Sequence, residues 1–354
     1  RLAPRRPGAR RRRAARPAPR AARGRPADPP AVESPSPCLT VDPRSPDPSI
    51  LDRAARTLRE GGLVAFPTET VYGVGANARD PVALARLRRI KGRAPEKPFT
   101  IHLADRAQVA MHAASVPWRA RRLMDRYWPG PLTLILPGRE SPTVGLRLPA
   151  GNVPQEVIRR AGVPVALPSA NRAGAPPATD APAVLRTLGE EVDLVLDGGP
   201  AQRANPSTVV RLTGPRLELL REGILTREML ERTASRTALF VCTGNTCRSP
   251  MAEHLFLRHL AERLGVAPAD LGAFGYRACS AGLAGGGAPA STPAVRALAA
   301  RGCDLSGHRS RNLTRDDLLR ADLILCVTRM HLARCLESVP ERAGAMHLLA
   351  SDGL

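Results

Sequence analysis

With 354 residues the chain has room for two ordinary domains, and a hydrophobic share of 43% supports real cores even with aromatics at 3%. A formal net charge of +21 favours anionic partners such as nucleotides or RNA, while the absence of any apolar run near ~18 residues argues against a membrane span or a membrane partner. Seven cysteines, an odd number without a dense framework, speak against a disulfide scaffold and for free thiols in a reducing compartment, so a cytoplasmic location is expected.

Residues 1–25 contain eleven arginines and no acid, so about half of the excess charge sits there. Together with "ADPPAVESPSP" they make an Arg/Pro/Ala-rich segment, 1–45, that cannot bury a core and is expected to be disordered. A nucleic-acid-binding arm and a solvated tail both fit it. The segment is Arg-rich and acid-poor like a transit peptide, yet has no serine before Ser34 and no apolar signal region. The chain opens on Arg1, which reads as a fragment or a translated upstream extension.

From Ser49 the pattern changes. "SILDRAARTLREGG" sets Ile50, Leu51, Ala54, Ala55 and Leu58 at helical spacing and stops at Gly61-Gly62. "LVAFPTETVYGVGA" reads as a buried strand entering a turn-rich loop. Helical patterns recur at 81–92, 105–114, 117–127, 152–161 and 180–188, and strand patterns at "PLTLILP", "VGLRLP", "VPVALP", "DLVLDGG", "STVVRL" and "LELLREG". This mixture predicts an α/β sheet domain over 46–232.

Only two of the 53 basic residues are lysines, Lys91 and Lys97, six positions apart in "RIKGRAPEKPFTIHL" with Arg93 between them. Their survival in an arginine-dominated chain marks sites where a compact ammonium serves and a planar guanidinium does not. Three cations within seven residues suit a triphosphate. "PTETVYGVG" adds Thr68, Glu69, Thr70 and Tyr72 after a strand; "VGLR" adds Arg147, "PSAN" Ser169 and Asn171, "PSTVV" Ser207 and Thr208, and "LLREG" Arg221. Each piece alone has an ordinary reading: a solvated turn, a cap, a strand start, a solvent-facing strand residue. Together they are far more specific. No Walker A or G-x-G-x-x-G sequence is present.

The set "LVAFPTETVYGVGANA", "IKGRAPEKPFTIHL", "YWPGPLTLIL", "LRLPA", "LPSAN", "DGG", "PSTVV" and "LLREG" resembles the YrdC/Sua5 family of threonylcarbamoyl-AMP synthases over about residues 46–232. The resemblance implies a twisted α/β sheet with a large concave basic cavity. It also implies synthesis of threonylcarbamoyl-adenylate from L-threonine, bicarbonate and ATP with release of pyrophosphate. That product would feed a downstream transferase complex that modifies adenosine in tRNA, and double-stranded RNA binding goes with the family. Carried over, Thr70, His102, Arg147, Ser169 and Ser207 would hold threonine. Arg93, Lys97, Thr143, Asn171, Thr179 and Arg221 would hold ATP, with Lys91 adding to the phosphate field. Mg²⁺ is expected on the triphosphate, carried by phosphate oxygens and water rather than by a protein metal site.

After "ERTASRT", with a linker at 233–236, strand and helix alternate: "ALFVC", the loop "TGNTCRS", a helix from about Pro250 to Leu264, "YRACSAG", helices at 290–301 and 314–320, and "DLILCV". This spacing predicts a flavodoxin-like, doubly wound parallel sheet over 237–354. In "VCTGNTCRSP", Cys242 and Arg248 are separated by five residues in a loop between a strand and a helix. There the amides of Thr243, Gly244, Asn245, Thr246 and Cys247 and the helix N-terminus make an anion site. The thiolate of Cys242 is the nucleophile, Arg248 the fork on two phosphoryl oxygens, Ser249 a donor to the leaving thiolate, and Asn245 a brace. Cys247 either pairs with Cys242 in a disulfide or fills space.

"FVCTGNTCRSPMAE", "SAG" at 280–282 and "RADLILCVT" at 320–328 resemble the low-molecular-weight protein tyrosine phosphatases. Thr246 resembles the branch that acts on phosphoarginine. The family's Asp-Pro general acid has no match before the chain stops at "LLASDGL", where Asp352 precedes glycine, so an incomplete domain and slow phosphocysteine formation are expected on phosphoprotein substrates. The combined reading is a short-form synthase fused to a cysteine-dependent phosphatase. The alternative is an RNA-binding or nucleotide-sensing module that regulates the phosphatase.

Overall fold

The computed structural model describes residues 37–350. Ten strands form the first sheet: β1 Cys38–Thr40, β2 Val64–Phe66, β3 Gly73–Asn77, β4 Ile101–His102, β5 Leu132–Pro137, β6 Thr143–Arg147, β7 Val165–Ala166, β8 Leu194–Asp197, β9 Thr208–Arg211 and β10 Glu218–Arg221. Their spatial order is β1-β8-β2-β3-β7-β4-β6-β5-β9-β10. The sheet is mixed: β4 runs parallel to β6 but antiparallel to β7, and β5 runs parallel to β9 but antiparallel to β6.

Helices start where the sequence supplies caps. Asp47 accepts the Ser49 amide ahead of Pro48, and Asp80 accepts the Val82 and Ala83 amides ahead of Pro81. The helix Pro48–Arg59 buries Leu51, Ala54, Ala55 and Leu58 in a core shared with Val153, Val157 and Ile158 of the helix Asn152–Ala161. On the other half of the sheet, Ala120, Leu123 and Met124 of the helix Trp118–Tyr127 share a core with Leu132, Leu134 and Leu136 of β5. The segment 105–114, expected as one helix, is a short 3₁₀ turn followed by a single turn at Val109–His112.

One boundary of the expected tail needs correction. Residues 38–40 form β1, which pairs in parallel with β8, and Val41 lies in the core at 3% exposure. Edge pairing supplies the backbone partners that three residues cannot supply themselves. Most of the remaining tail, 1–36, lies outside the described residues.

Four parallel strands make the second sheet: β11 Arg236–Cys242, β12 Tyr276–Gly282, β13 Leu323–Cys326 and β14 Met346–Leu348, in the order β12-β11-β13-β14. Parallel neighbours need crossovers, provided by helices at Arg248–Leu264, Thr292–Ala299, Arg315–Arg320 and Arg329–Ser338. The last of these helices and β14 escaped the sequence reading. "RMHLARCLES" buries only His331 and Cys335, too sparse a stripe for a periodic signal.

The two sheets meet through polar chemistry at the helix Trp118–Tyr127. Arg119, 4% exposed, donates to the carbonyls of Ala234 (3.0 Å), Pro215 (3.1 Å) and Ala273 (2.8 Å). Arg122 donates to the Thr233 carbonyl (2.9 Å) and pairs with Asp322, whose other oxygen accepts the Thr237 amide (2.9 Å). The Trp118 ring lies 5.6 Å from that of Tyr276 and 4.6 Å from the Arg236 guanidinium. No helix of the described residues is long and apolar enough to cross a membrane.

Gly275 sits in this contact at φ +84°, where a Cβ would come within 2.7 Å of the Ala234 carbonyl oxygen and 3.0 Å of Arg119 Nε. Gly275→Ala is therefore expected to lower stability by about 1–3 kcal/mol in urea unfolding. An unchanged midpoint would contradict this packing.

Candidate functional site

The first candidate site forms where β4 and β6 lie side by side, with His102 in register with Arg147. Arg147 is 5% exposed. Its Nη2 donates to Glu69 Oε1 (2.8 Å) and to Thr70 Oγ1 (2.9 Å), and its Nε to the Gly130 carbonyl (3.3 Å). Glu69 Oε2 accepts the Ala150 amide (3.2 Å). The Thr68 hydroxyl donates to the Val71 carbonyl (2.7 Å), so the Thr70 hydroxyl is the donor in the 2.9 Å contact between the two threonines. Arg147 Nη1 carries no partner among the described residues.

His102 beside it is 4% exposed, and its Nδ1 is buried without a partner. Burial, and then the Arg147 charge, push its pKa well below the usual imidazole range, so the ring is neutral. Ser207, also buried, shares a 2.9 Å hydroxyl contact with Thr133. Arg221 grips Ser207 through its carbonyl (3.0 and 2.8 Å) and hydroxyl (3.2 Å). Burial, then Arg147, then Arg93 lower the Arg221 pKa. Arg221 thus feels the charges of Arg147 and Arg93, and Glu69 is the carboxylate paired with Arg147.

Arg93 lies over the Phe99 ring at 4.8 Å, which also carries Arg88 at 5.6 Å, and donates to the Pro98 carbonyl (2.8 Å). Lys91, the last residue of the helix Pro81–Lys91, was expected to add to the phosphate field. Its ammonium instead donates to three acceptors of the "PSAN" loop: the carbonyls of Ser169 (2.9 Å) and Asn171 (2.7 Å) and Asn171 Oδ1 (2.7 Å). An ammonium has three hydrogens, and all three are engaged. Lys91 holds the loop; the Ser169 hydroxyl completes the cluster on Asn171 Oδ1 (2.6 Å).

Lys97 is exposed, and its side chain has no partner among the described residues. Thr143 and Thr179 are half-buried and linked to their surroundings by backbone carbonyls, Thr143 to Ser141 Oγ (2.9 Å) and Thr179 to the Ala201 amide (2.7 Å). Glu69 received no role from the sequence, although "TET" displayed it. It lines a cavity of about 140 Å³ with Thr68, Ala150, Asn152 and Gly198.

The second candidate site is the loop from β11 to the helix Arg248–Leu264. Cys242 ends β11 at 3% exposure, 2.9 Å from the Ser249 hydroxyl and 3.3 Å from the Asn245 amide. Asn245, fully buried at φ +52°, donates to the hydroxyls of Ser249 (3.0 Å) and Ser280 (2.8 Å) and accepts the Arg311 amide (2.9 Å). His308 Nε2 contacts the Asn245 carbonyl at 2.6 Å. These bonds hold a backbone conformation that a side chain rarely adopts. Beneath the loop Gly282 leaves no room: a Cβ would stand 2.6 Å from the Thr243 oxygen and 2.9 Å from the Asn245 nitrogen.

Arg248 is exposed on the first helical turn, and Gly244, Thr246 and Cys247 are half-buried around the loop, with the Thr246 carbonyl accepting the Ser291 amide (2.8 Å). Cys242 and Cys247 are both free thiols, and Cys247 packs against the core of Ala294, Leu298 and Leu305. Of the two readings of Cys247, the structure displays the packing one.

Residues 56–223 match the Sua5/YciO/YrdC family model, described as "Telomere recombination", and residues 237–351 match that of "Low molecular weight phosphotyrosine protein phosphatase". The threonylcarbamoyl-AMP synthase of Nitrosococcus oceani is 34% identical over 165 residues, which cover 44% of this chain and 89% of that protein. The chain belongs to the Sua5/YciO/YrdC family. The threonylcarbamoyl-AMP synthase of Bacillus subtilis is 41% identical over 195 residues, 52% of this chain and 56% of the relative, so the chain spans little more than half of that protein's length. A solved structure of Sua5 from P. abyssi, complexed with L-threonine, superposes with a TM-score of 0.53 at 27% identity, covering 88% of this chain and 99% of that one.

For a Sua5/YciO/YrdC chain with two lysines, the "PSAN" clamp can be watched directly. Burial, with Arg93 behind it, lowers the Lys91 pKa to about 8. The unfolded chain then holds the proton over a range where the folded chain has lost it, so this group's contribution to stability rises with pH from about 8 towards the ordinary lysine value. The ε-carbon resonance removed by Lys91→Arg is expected to titrate with a midpoint near 8. A midpoint above 10 would contradict the burial of that ammonium.

Proposed function

We propose that residues 46–232 form L-threonine, bicarbonate and ATP into threonylcarbamoyl-adenylate, pyrophosphate and water, for the modification of adenosine in tRNA. The observation that carries this reading is unfilled hydrogen-bonding capacity beside Thr70: His102 Nδ1 is buried without a partner, and Arg147, in register with His102, engages its Nε and Nη2 and leaves Nη1 open. A carboxylate satisfies the guanidinium as a charged donor, while the neutral imidazole, whose ring hydrogen goes to the Thr100 backbone, offers Nδ1 as an acceptor for a hydroxyl or amine hydrogen of threonine. Thr70, Ser169 and Ser207 surround the remaining polar groups of threonine.

The amine of threonine reacts with bicarbonate to give a carbamate, whose oxygen attacks the α-phosphorus of ATP, and pyrophosphate leaves. Positioning and charge neutralisation do most of this work. Arg93 and Arg221 would meet the growing charge, exposed Lys97 would add to the phosphate contacts, and Asn171, Thr143 and Thr179 would hold the nucleotide. Lys91 acts through the loop it clamps. Mg²⁺ would enter as part of the ATP substrate, held on phosphate oxygens and water. The net positive charge of the chain also suits an RNA contact, and a cytoplasmic setting suits both substrates.

Residues 237–354 are proposed as a cysteine-dependent phosphatase. The Cys242–Ser249 contact and the Asn245 brace support a nucleophile with a donor for its leaving thiolate. Arg248 clamps the phosphoryl group, and the small Thr246 suits phosphoarginine.

Pyrophosphate release that depends on both L-threonine and bicarbonate is expected from the parent protein. Arg93→Ala should lower kcat/KM for ATP roughly 10- to 100-fold, the loss of one charge-assisted contact. ATP binding with no turnover under any substrate combination would favour the nucleotide-sensing alternative. Turnover of p-nitrophenyl phosphate, with its good leaving group, is expected to vanish in Cys242→Ser.

A further inference from the structure

His331 and Thr328 have no part in the chemistry above, yet they reach the phosphate loop from a different crossover. His331 is 1% exposed on the helix Arg329–Ser338, and its Nε2 lies 2.9 Å from Thr243 Oγ1, 88 positions earlier in the chain. Its Nδ1 lies 2.8 Å from the hydroxyl of Thr328, the residue that caps the same helix.

The direction of these bonds follows from counting hydrogens. Thr328 Oγ1 accepts the His331 amide as the helix cap, and its own hydrogen has no acceptor among the described residues other than His331 Nδ1. Nδ1 is then the acceptor and Nε2 carries the ring hydrogen, which it donates to Thr243 Oγ1. The opposite tautomer would leave the Thr328 hydrogen without a partner. Burial, and then the Arg248 charge, lower the His331 pKa, consistent with a neutral ring. With its oxygen receiving the imidazole hydrogen, Thr243 has its own hydroxyl hydrogen free, on an exposed residue adjacent to Cys242 in the cradle.

We propose that the relay Thr328–His331–Thr243 fixes the Thr243 hydroxyl as a side-chain donor to a phosphoryl oxygen bound over Cys242, in addition to the loop amides, with His331 as its positioning residue. This rests on the reading of residues 237–354 as a phosphatase. A chain of oriented hydrogen bonds removes the rotational freedom of a lone hydroxyl before the ligand arrives, so the donor is set in advance. The Thr246 side chain, three residues on, is left to the group that carries the phosphate.

The test is protection of Cys242 from iodoacetamide by inorganic phosphate in the full chain. Thr243→Val and His331→Leu are each expected to raise the half-protecting concentration about tenfold, the loss of a hydrogen bond to a charged group. Thr243→Ser and His331→Gln, whose amide can still donate, should stay within about twofold. The p-nitrophenyl phosphate burst should show the loss in KM rather than in burst amplitude. Thr243→Val protected like the parent would overturn the proposal, as would His331→Leu weakened while Thr243→Val is not. Thr243 is exposed, so its variant keeps the test valid even where His331→Leu fails to fold. A parent whose Cys242 phosphate never protects would instead overturn the phosphatase reading and the proposal with it.

Discussion

A guanidinium at 5% exposure cannot stand alone, and the first site is arranged around that fact. Removing an ion from water costs several kcal/mol unless partners replace the hydration. Arg147 receives them from Glu69 and Thr70 of one turn and from the Gly130 carbonyl of another segment. The ion pair therefore ties the strand end at β6 to the "PTET" turn and to the cis-proline segment Trp128–Pro129 that precedes Gly130. Because Glu69 also binds the Ala150 amide, the start of the helix Asn152–Ala161 is held in the same knot. What remains open is one edge of the guanidinium and one nitrogen of His102.

A second constraint governs the other half of the chain. The loop between β11 and the helix Arg248–Leu264 holds Asn245 in left-handed backbone and lies close on Gly282. Four hydrogen-bonding partners, Ser249, Ser280, His308 and Arg311, hold Asn245 in that state. Preorganisation of this kind is set by residues far from the nucleophile in sequence. The two halves also share a method: in each, an amide side chain, Asn171 or Asn245, is the hub through which a loop is shaped.

Much of this was legible in the sequence where the pattern is local. The helix Pro48–Arg59 announces itself by an apolar stripe and a Gly-Gly stop, and "VCTGNTCRSP" by its spacing. Strand β7, two residues long, sits inside the apolar "VPVALP" that reads as a strand, whereas β4, equally short, carries no period and exists because neighbours on both sides supply partners. Strand β1 hid inside a proline-rich tail for the same reason. Among the candidate residues, Thr70 and His102 lie against Arg147, while Ser207 is held by Thr133 and Arg221. Glu69 was visible but ambiguous, because a carboxylate in a basic cleft reads as misplaced until its arginine is seen. The acceptors that Lys91 holds lie 78 and 80 positions away and were not visible in the sequence. His331 and Thr328 left no trace, because a buried histidine on a weakly apolar helix looks like packing.

The account stands or falls on the open edge of Arg147. Isothermal titration of the protein with L-threonine and with L-threoninol, which replaces the carboxylate by an alcohol, isolates that edge from every other contact. The account predicts saturable binding of L-threonine, and its loss for L-threoninol and in Arg147→Met. L-threoninol bound as tightly as L-threonine would mean that the carboxylate is held elsewhere and that the buried ion pair serves the fold alone.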